Sequence, residues 1–134
     1  MPETLSPYTF GIRLPGGIGP ARTRVEAALR AEGFGVLTEI DIQATMKARL
    51  GVDGVPYQIL GACNPPLAHR ALAAEASVGA LLPCNVVLRE DGAGVIVEAM
   101  DPLAVLGLIS NPEVHAVATE ARERLERALA GLEA

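Results

Sequence analysis

Residues 57–66 read YQILGACNPP, and this stretch decides how the chain folds. Its first seven residues are mainly apolar or small, which is typical of a buried strand. Asn64 is a favoured residue for capping a helix, and proline is tolerated in a helix's first turn. We therefore predict a strand from Tyr57 to Cys63 that passes directly into a helix over residues 65–75, with Asn64 bonding the Leu67 amide.

The segment after this helix, residues 76–83, determines the direction of the next strand. A strand starting where a helix of about ten residues ends, ~15 Å along, would run parallel to residues 57–63. Cys63 and Cys84 would then lie about 20 Å apart, at opposite ends of six-residue strands. Extended, residues 76–83 could instead span about 26 Å and return, which would make the strands antiparallel and place both cysteines at one end. The residues alone leave both arrangements open.

Two further strands are predicted before this stretch and two after it. Apolar residues alternate with polar or small ones over residues 8–14, and residues 36–40 are mainly apolar. Residues 85–89 and 95–100 are predicted strands on either side of an Asp-Gly turn, which is a strong hairpin signal. Asn85 is expected to close the turn that comes before the first of these two strands.

Helices are predicted between these strands and at the carboxyl end of the chain. The first should begin at Pro20 with Gly19 as its cap and end at Gly33, and a short one should follow the cap Asp41. A short apolar helix is expected over residues 101–109, and the last helix should start at residues 111–112. Its inward stripe is predicted to be Val114, Val117, Ala118, Ala121, Leu125, Ala128 and Leu129, with Arg122, Glu123, Arg124, Glu126 and Arg127 facing water.

The resulting element order is βαβαβαββα in a single domain over residues 1–134, with residues 1–6 loosely held. Half of the residues are hydrophobic, only 3% are aromatic, and the formal net charge is −5. An acidic chain with few aromatic side chains is a poor partner for nucleic acid or an anionic membrane. Two cysteines and no secretory signal favour a cytoplasmic protein.

Cys63, Cys84 and His69 carry most of the chain's soft or pH-tunable chemistry. A thiol at a helix start, with a histidine one turn further on, could serve a redox dithiol or bind a soft metal ion. There is no Cys-x-x-Cys pair, and a structural zinc site would need a fourth ligand. Free cysteine is commonly a small buried hydrophobe, and we favour that interpretation of both residues.

Polar side chains near the strand ends are the other candidates for a ligand site. Asn64 and Asn85 each follow a cysteine and could line the rim of a pocket, although a cap and a turn are their expected structural roles. Glu39 and Asp41 share a strand face and could do acid–base work or hold a cation, but a solvated strand edge is the commoner role of such a pair. His115 is expected to be exposed in the last helix's first turn.

The glycine-rich loop over residues 16–19 lies between a strand and a helix, with Glu39 20 residues after Gly19. This arrangement is superficially that of a dinucleotide-binding fingerprint. The match is weak because Arg22 stands where a small residue is required, and no Gly-Lys-Ser/Thr follows. A turn followed by a helix is the preferred interpretation.

Three motifs in order resemble a known family: residues 33–41 (GFGVLTEID), 60–65 (LGACNP) and 81–87 (LLPCNVV). The family is the bacterial and archaeal one catalogued as domain of unknown function 302, and the resemblance covers about residues 21–130. It implies a TATA-binding-protein-like α+β fold, in which a curved antiparallel sheet of about five strands packs on a long C-terminal helix. It also implies a homodimer, and it favours the returning connection that brings Cys63 and Cys84 together. The glycine-rich loop departs from the family pattern.

These observations favour a non-catalytic domain that binds a small ligand or a partner, because no catalytic constellation is visible in the sequence. Candidate ligand-binding residues are Cys63, Asn64, His69, Cys84, Asn85 and Glu39. The alternatives are a thiol redox or soft-metal protein that uses Cys63, Cys84 and His69, and a purely structural dimerisation module. The sequence names no cofactor.

Overall fold

The computed structural model of the protein describes residues 1–133, which form an α+β fold. Six strands in this range make one curved antiparallel sheet in the order β1-β2-β6-β5-β4-β3. The strands are β1 Glu3–Ser6, β2 Thr9–Pro15, β3 Gly35–Asp41, β4 Tyr57–Cys63, β5 Cys84–Asp91 and β6 Gly94–Met100. The helices are α1 Ile18–Ala31, α2 Ile42–Leu50, α3 Pro65–Ala74, α4 Pro102–Leu106 and α5 Pro112–Leu132, with a 3-10 helix over Ala76–Leu81.

The predicted α+β class, with a curved antiparallel sheet and a long C-terminal helix, is confirmed. The returning connection is the one that the chain adopts, because the 3-10 helix leads back from α3 so that β5 pairs antiparallel with β4. One strand more than expected is present. Glu3–Ser6, within the segment expected to be loosely held, pairs with β2 as an edge strand.

Most element boundaries follow the predicted caps. Asp41 accepts a hydrogen bond from the Ala44 amide at 2.8 Å and starts α2, and Gly33 follows α1 with a φ of +85° that favours glycine. The first helix begins earlier than predicted, at Ile18 with Gly17 as its cap, and α4 stops at Leu106, short of residue 109. Within residues 1–133, no helix is both long enough and apolar enough to cross a lipid bilayer.

The buried side chains form two separate hydrophobic clusters, and α5 contributes to both. The larger cluster packs the sheet against α1 and the C-terminal half of α5, around Phe10, Leu60 and Leu125. The smaller cluster joins α3, the 3-10 helix, α4 and the N-terminal half of α5, around Val78 and Val114. The seam between the two clusters therefore runs beneath the end of the sheet where β4 finishes.

The inward stripe predicted for the last helix is confirmed, since all seven of its residues are buried and Leu132 extends it. The prediction that Arg122 faces water is wrong. Its guanidinium carbon lies 4.1 Å from the centre of the Phe10 ring, and Arg122 Nη1 is 2.7 Å from a carboxylate oxygen of Asp101. An aromatic face and a carboxylate together hold this cation against the protein, which periodicity alone could not reveal.

Candidate functional site

The antiparallel register brings the ends of three adjacent strands, β3, β4 and β5, together at one end of the sheet. Ala62 is paired with Cys84 across β4 and β5, and Cys63 is paired with Gly35 across β4 and β3. The chain enters α3 directly after Cys63 and leaves the 3-10 helix just before Cys84. Both cysteines therefore stand beside the helices that cover this end of the sheet.

A cavity of about 350 Å³ lies at this end of the sheet, and we call it the seam pocket. Its walls come from both hydrophobic clusters, so it is the space that the two clusters leave unfilled. The seam pocket is lined by Phe34, Leu37, Thr38, Ala62, Cys63, Asn64, Leu67, Ala68, Ala71, Leu72, Gly79, Leu82, Pro83, Cys84, Leu106, Val117 and Ala121. None of these lining residues carries a charged side chain.

Small residues create the seam pocket. Ala62 on the sheet, Ala71 on α3 and Ala121 on α5 are buried, yet each presents only a methyl group at a point where a larger side chain would fill the space. Leu37 and Leu72 stand at the rim and are 67% and 45% exposed, which leaves the interior accessible from solvent. The site is thus a preformed apolar cleft of the kind that small molecules occupy.

Asn64 forms one wall of the seam pocket and has a structural role there. Its side-chain oxygen accepts a hydrogen bond from the Leu67 amide at 3.3 Å, which confirms the predicted cap of α3. Its amide nitrogen donates to the Glu32 carbonyl oxygen at 3.4 Å. A Cβ at residue 33 would lie 2.9 Å from that same nitrogen, so Gly33 permits the contact that ties α3 to the end of α1.

The two thiols differ in burial and in ionisation. Both cysteines are free; Cys84 is only 8% exposed, whereas Cys63 is half-buried at the end of β4. Burial raises the pKa of the Cys63 thiol. Burial, and to a smaller extent the charge of Cys63, raise the pKa of Cys84 to about 11. Cys63 is therefore the first of the pair to ionise, and neither thiol is activated by its surroundings.

The pleat of the sheet directs the side chains of Cys63 and Cys84 to opposite faces of the sheet. Ala62 and Cys84 are paired and both buried, so they share the helix-covered face. Successive residues of a strand point to opposite faces, which directs Cys63 away from Cys84 although both line the seam pocket. A disulfide needs Cβ atoms about 3.5–4.5 Å apart, so this register does not favour one.

His69 lies outside the seam pocket, in a shallow groove on α3. The groove shares Cys63, Ala68 and Leu72 with the pocket, and His69 is exposed within it. In the part of the chain that the structure describes, no group of three or more His, Cys, Asp or Glu side chains is arranged to hold a metal ion. Cys63, Cys84 and His69 therefore lie in neighbouring parts of the fold but do not form a three-ligand metal site.

Asn85 and Glu39 also lie away from the seam pocket. Asn85 was expected to close a turn, but it lies within β5, opposite Gly61, and is exposed. Glu39 accepts hydrogen bonds from Arg22 at 3.0 and 3.2 Å at the sheet's edge strand. The Arg22 guanidinium also donates a hydrogen bond to Glu26, which lowers the pKa of the Glu26 carboxyl group. Both carboxylates thus belong to a surface ion-pair cluster.

A carboxylate already occupies the start of the helix after the glycine-rich loop. Glu90 Oε1 accepts a hydrogen bond from the Ile18 amide at 3.3 Å, and the Gly16 amide donates to the Ala93 carbonyl oxygen at 3.1 Å. A phosphate would use such amides at a helix start and would be repelled by Glu90. The loop is therefore a turn that joins α1 to the β5–β6 hairpin, as preferred from the sequence.

Three candidates from the sequence, Cys63, Asn64 and Cys84, line the seam pocket, whereas the residues of its other walls were not predicted as site residues. The residues missed are mostly apolar ones on the covering helices, among them Leu67, Ala71, Leu106, Val117 and Ala121. The sequence places Val117 and Ala121 on the inward stripe of the last helix, where packing in the hydrophobic core is their expected role. The available signal was the repeated alanine on α3 and on that stripe, which indicates space only once the facing elements are known.

Comparison with known proteins gives a family without an activity. The model of the family described as "Domain of unknown function DUF302" matches residues 10–132. A crystal structure of an uncharacterized conserved DUF302 protein from Bacillus stearothermophilus superposes with a TM-score of 0.85 at 27% sequence identity. The match covers 92% of this chain and 96% of that one. No curated protein matches the sequence.

Proposed function

Because the chain belongs to the DUF302 family, which is defined without an activity, we propose from the geometry of the site that the protein binds a small neutral apolar molecule in the seam pocket. One observation carries this proposal. A cavity of about 350 Å³ remains open between two hydrophobic clusters and has uncharged walls. An accessible cleft with mainly apolar walls and a few polar groups is the usual form of a small-molecule site.

The chemistry of the walls selects the ligand. Apolar surface transferred from water into the seam pocket gains about 25 cal/mol per Å². A charged group would lose its hydration and find no charged partner, so its burial would be unfavourable. Cys63, Asn64, Cys84 and Thr38 are the lining residues with polar side-chain atoms, and they suit at most a carbonyl, hydroxyl or thioether on the ligand.

The size of the seam pocket limits the ligand further. At about 350 Å³, the cavity lies near the lower end of the volumes that small-molecule sites show. A compact molecule fits this space, such as a short alkyl chain, a single or fused aromatic ring, or a small terpenoid. The free thiols on its walls are consistent with the reducing, cytoplasmic setting proposed for the protein.

Titration with N-phenyl-1-naphthylamine, a neutral fluorescent apolar probe, tests this function. We expect saturable binding of one probe per chain and displacement by short-chain alcohols. Ala121→Leu should abolish binding by filling the seam pocket, whereas Ala116→Leu, the same change on the exposed side of α5, should leave it intact. Equal probe binding by the two variants, or no saturation with the native chain, would refute the proposal.

Self-association is the second function that a specific observation supports. None of the residues Ile42–Leu50 is buried, and α2 and the loop after it expose Met46, Leu50, Val52 and Val55. Clustered exposed apolar side chains mark interaction surfaces, and a second copy of the chain is the proposed occupant. The homodimer expected from the family resemblance would bury this segment.

Sedimentation velocity tests the proposed homodimer. We expect the native chain to sediment as a dimer at micromolar concentration and Leu50→Glu to sediment as a monomer, because a buried unpaired carboxylate is unfavourable. Leu108→Glu is the matched control, since Leu108 is 79% exposed outside α2 and its loop. A monomeric native chain, or loss of the dimer in both variants, would contradict this assignment.

A further inference from the structure

We propose that the seam pocket captures neutral apolar disulfides by thiol–disulfide exchange at Cys63, while Cys84 stays unmodified. The inference rests on the proposed function, because the pocket must first bind the apolar part of the compound. It goes further by assigning a modification site and the chemical class of the compound that reaches it.

Two features of the seam pocket favour a ligand that contains a sulfur atom. Two cysteines line a pocket whose other walls are almost wholly apolar. Cys84 is only 8% exposed, and burial raises the pKa of its thiol to about 11, so it stays protonated at neutral pH. A protonated thiol set into the wall of an open cavity offers a polarisable contact to a ligand sulfur atom.

The position of Cys63 makes it the residue that reacts. It lines both the seam pocket and the neighbouring groove on α3, so it lies where the two adjoin. It is half-buried, whereas Cys84 is nearly enclosed. A leaving thiol displaced from the pocket can therefore depart along the groove past His69 and Ala73.

The exchange step is a single displacement. The Cys63 thiolate attacks one sulfur of R–S–S–R, a new sulfur–sulfur bond to Cys63 forms, and the original sulfur–sulfur bond breaks. The released R–S⁻ takes up the proton that the Cys63 thiol gave to solvent. Cys63 is oxidised and half of the disulfide is reduced, so no other oxidant is required.

Binding compensates for the slow ionisation of Cys63. Burial raises its pKa, which lowers the thiolate fraction at neutral pH. A thiolate of higher pKa is intrinsically the stronger nucleophile, and a disulfide held beside it reacts as though at high concentration. A charged disulfide receives no such assistance, because the seam pocket excludes it.

The mixed disulfide should persist once it has formed. For Cys84 to displace R–S⁻, its sulfur would have to reach Cys63, and the β4–β5 register directs the two side chains to opposite faces of the sheet. The attached R group then occupies the seam pocket. Capture and reversible binding of an apolar ligand are therefore mutually exclusive.

Two disulfide reagents of opposite polarity test the inference on the full, reduced chain. Neutral 4,4′-dithiodipyridine and the dianionic 5,5′-dithiobis(2-nitrobenzoate) are compared, each rate being divided by that reagent's rate with N-acetylcysteine amide. We expect the neutral reagent to be favoured by about tenfold or more and to show saturation, since burying a charge is costly. Mass spectrometry should find one pyridylthio group, on Cys63.

Variants separate this inference from the proposed function. Cys63→Ala should abolish the adduct, Cys84→Ala should retain it, and Ala121→Leu should slow only the neutral reagent, with Ala116→Leu as its control. If Ala121→Leu fails to fold by circular dichroism, the two cysteine variants and the native rate ratio still decide.

Three results would overturn the capture proposal: equal normalised rates for the two reagents, an adduct on Cys84, or a Cys63–Cys84 disulfide. N-phenyl-1-naphthylamine binding is measured on the same preparation. Probe binding together with any of these results overturns capture alone, whereas absence of probe binding overturns the ligand-binding function itself.

Discussion

Asn64 shows how a single side chain can serve both the fold and the site. It caps α3 and holds the Glu32 carbonyl oxygen, so it fixes the angle at which α3 closes over the seam pocket. Arg124 donates to the same carbonyl oxygen at 3.3 Å, which adds α5 to the junction. A residue that was a ligand-binding candidate in the sequence therefore acts by positioning a wall.

Asn64→Ala should lower the free energy of unfolding by about 1–2 kcal/mol in urea denaturation, through loss of a cap and a side-chain hydrogen bond. It should also weaken N-phenyl-1-naphthylamine binding several-fold, because α3 is released. Asp41→Ala is the control: Asp41 caps α2 through the Ala44 amide at 2.8 Å, and no residue of α2 lines the seam pocket. Equal loss of probe binding in both variants would argue against a positioning role for Asn64.

The Cys84 thiol should make stability depend on alkaline pH. Its folded-state pKa is raised to about 11, above that of an unfolded thiol at about 8.5. The unfolded chain therefore loses this proton first, so stability is full below about pH 8.5 and falls by up to about 3 kcal/mol as the pH rises to 11. Cys84→Ala should flatten that decline in urea titrations from pH 7 to 11; an unchanged slope would mean that the thiol is not buried as described.

The end of the sheet at β3, β4 and β5 illustrates what an element must satisfy to build a site. Gly61 lies in β4 between Thr38 of β3 and Pro83, which comes just before β5. A Cβ on Gly61 would lie 2.8 Å from Pro83 Cγ and would also collide with the Thr38 hydroxyl. The strands can approach at this edge only because residue 61 has no side chain.

Gly61→Ala should therefore destabilise the protein by about 1–3 kcal/mol through overpacking at the pocket edge. Gly35→Ala, in the neighbouring strand β3, is the matched control, since a Cβ there would meet no atom within 4 Å. Urea midpoints of the two variants give the comparison. A loss in Gly35→Ala as large as that in Gly61→Ala would show that general strand propensity, rather than the contact, is responsible.

At the scale of the whole molecule, α5 couples the two hydrophobic clusters. Its N-terminal half contributes Val114 and Val117 to one cluster, and its C-terminal half contributes Leu125 and Leu129 to the other. The seam pocket lies where the helix passes from one to the other, with Ala121 in its wall. A ligand there would contact both clusters at once.

A bound apolar ligand should consequently stabilise the entire chain. We expect one calorimetric unfolding transition, and saturation with N-phenyl-1-naphthylamine at 100 times its Kd should add about 2.7 kcal/mol, or about 5–10 °C in Tm. Ala121→Leu should show no such increase. Two separate transitions, with only one moved by the probe, would mean that the clusters unfold independently.

The sequence was sufficient for those features that depend on neighbouring residues. The cap at Asn64, the cap at Asp41, the stop at Gly33 and the inward stripe of α5 follow from local hydrogen bonding and helical periodicity. In each of these features the deciding interactions lie within a few residues along the chain. The α+β class and the family were inferred from the resemblance of three short motifs to a known family.

The sequence by itself determined five of the six strands and the five α-helices of the described residues, and that two cysteines stand at strand ends. Only the tertiary structure decided that β5 returns antiparallel to β4, that Arg122 lies on Phe10, and that Asn85 and Glu39 lie away from the seam pocket. It also revealed the pocket itself, whose walls come from residues as distant in sequence as Phe34 and Ala121. A cavity is a property of facing surfaces, because an alanine leaves space only where the opposite element is also too small to fill it.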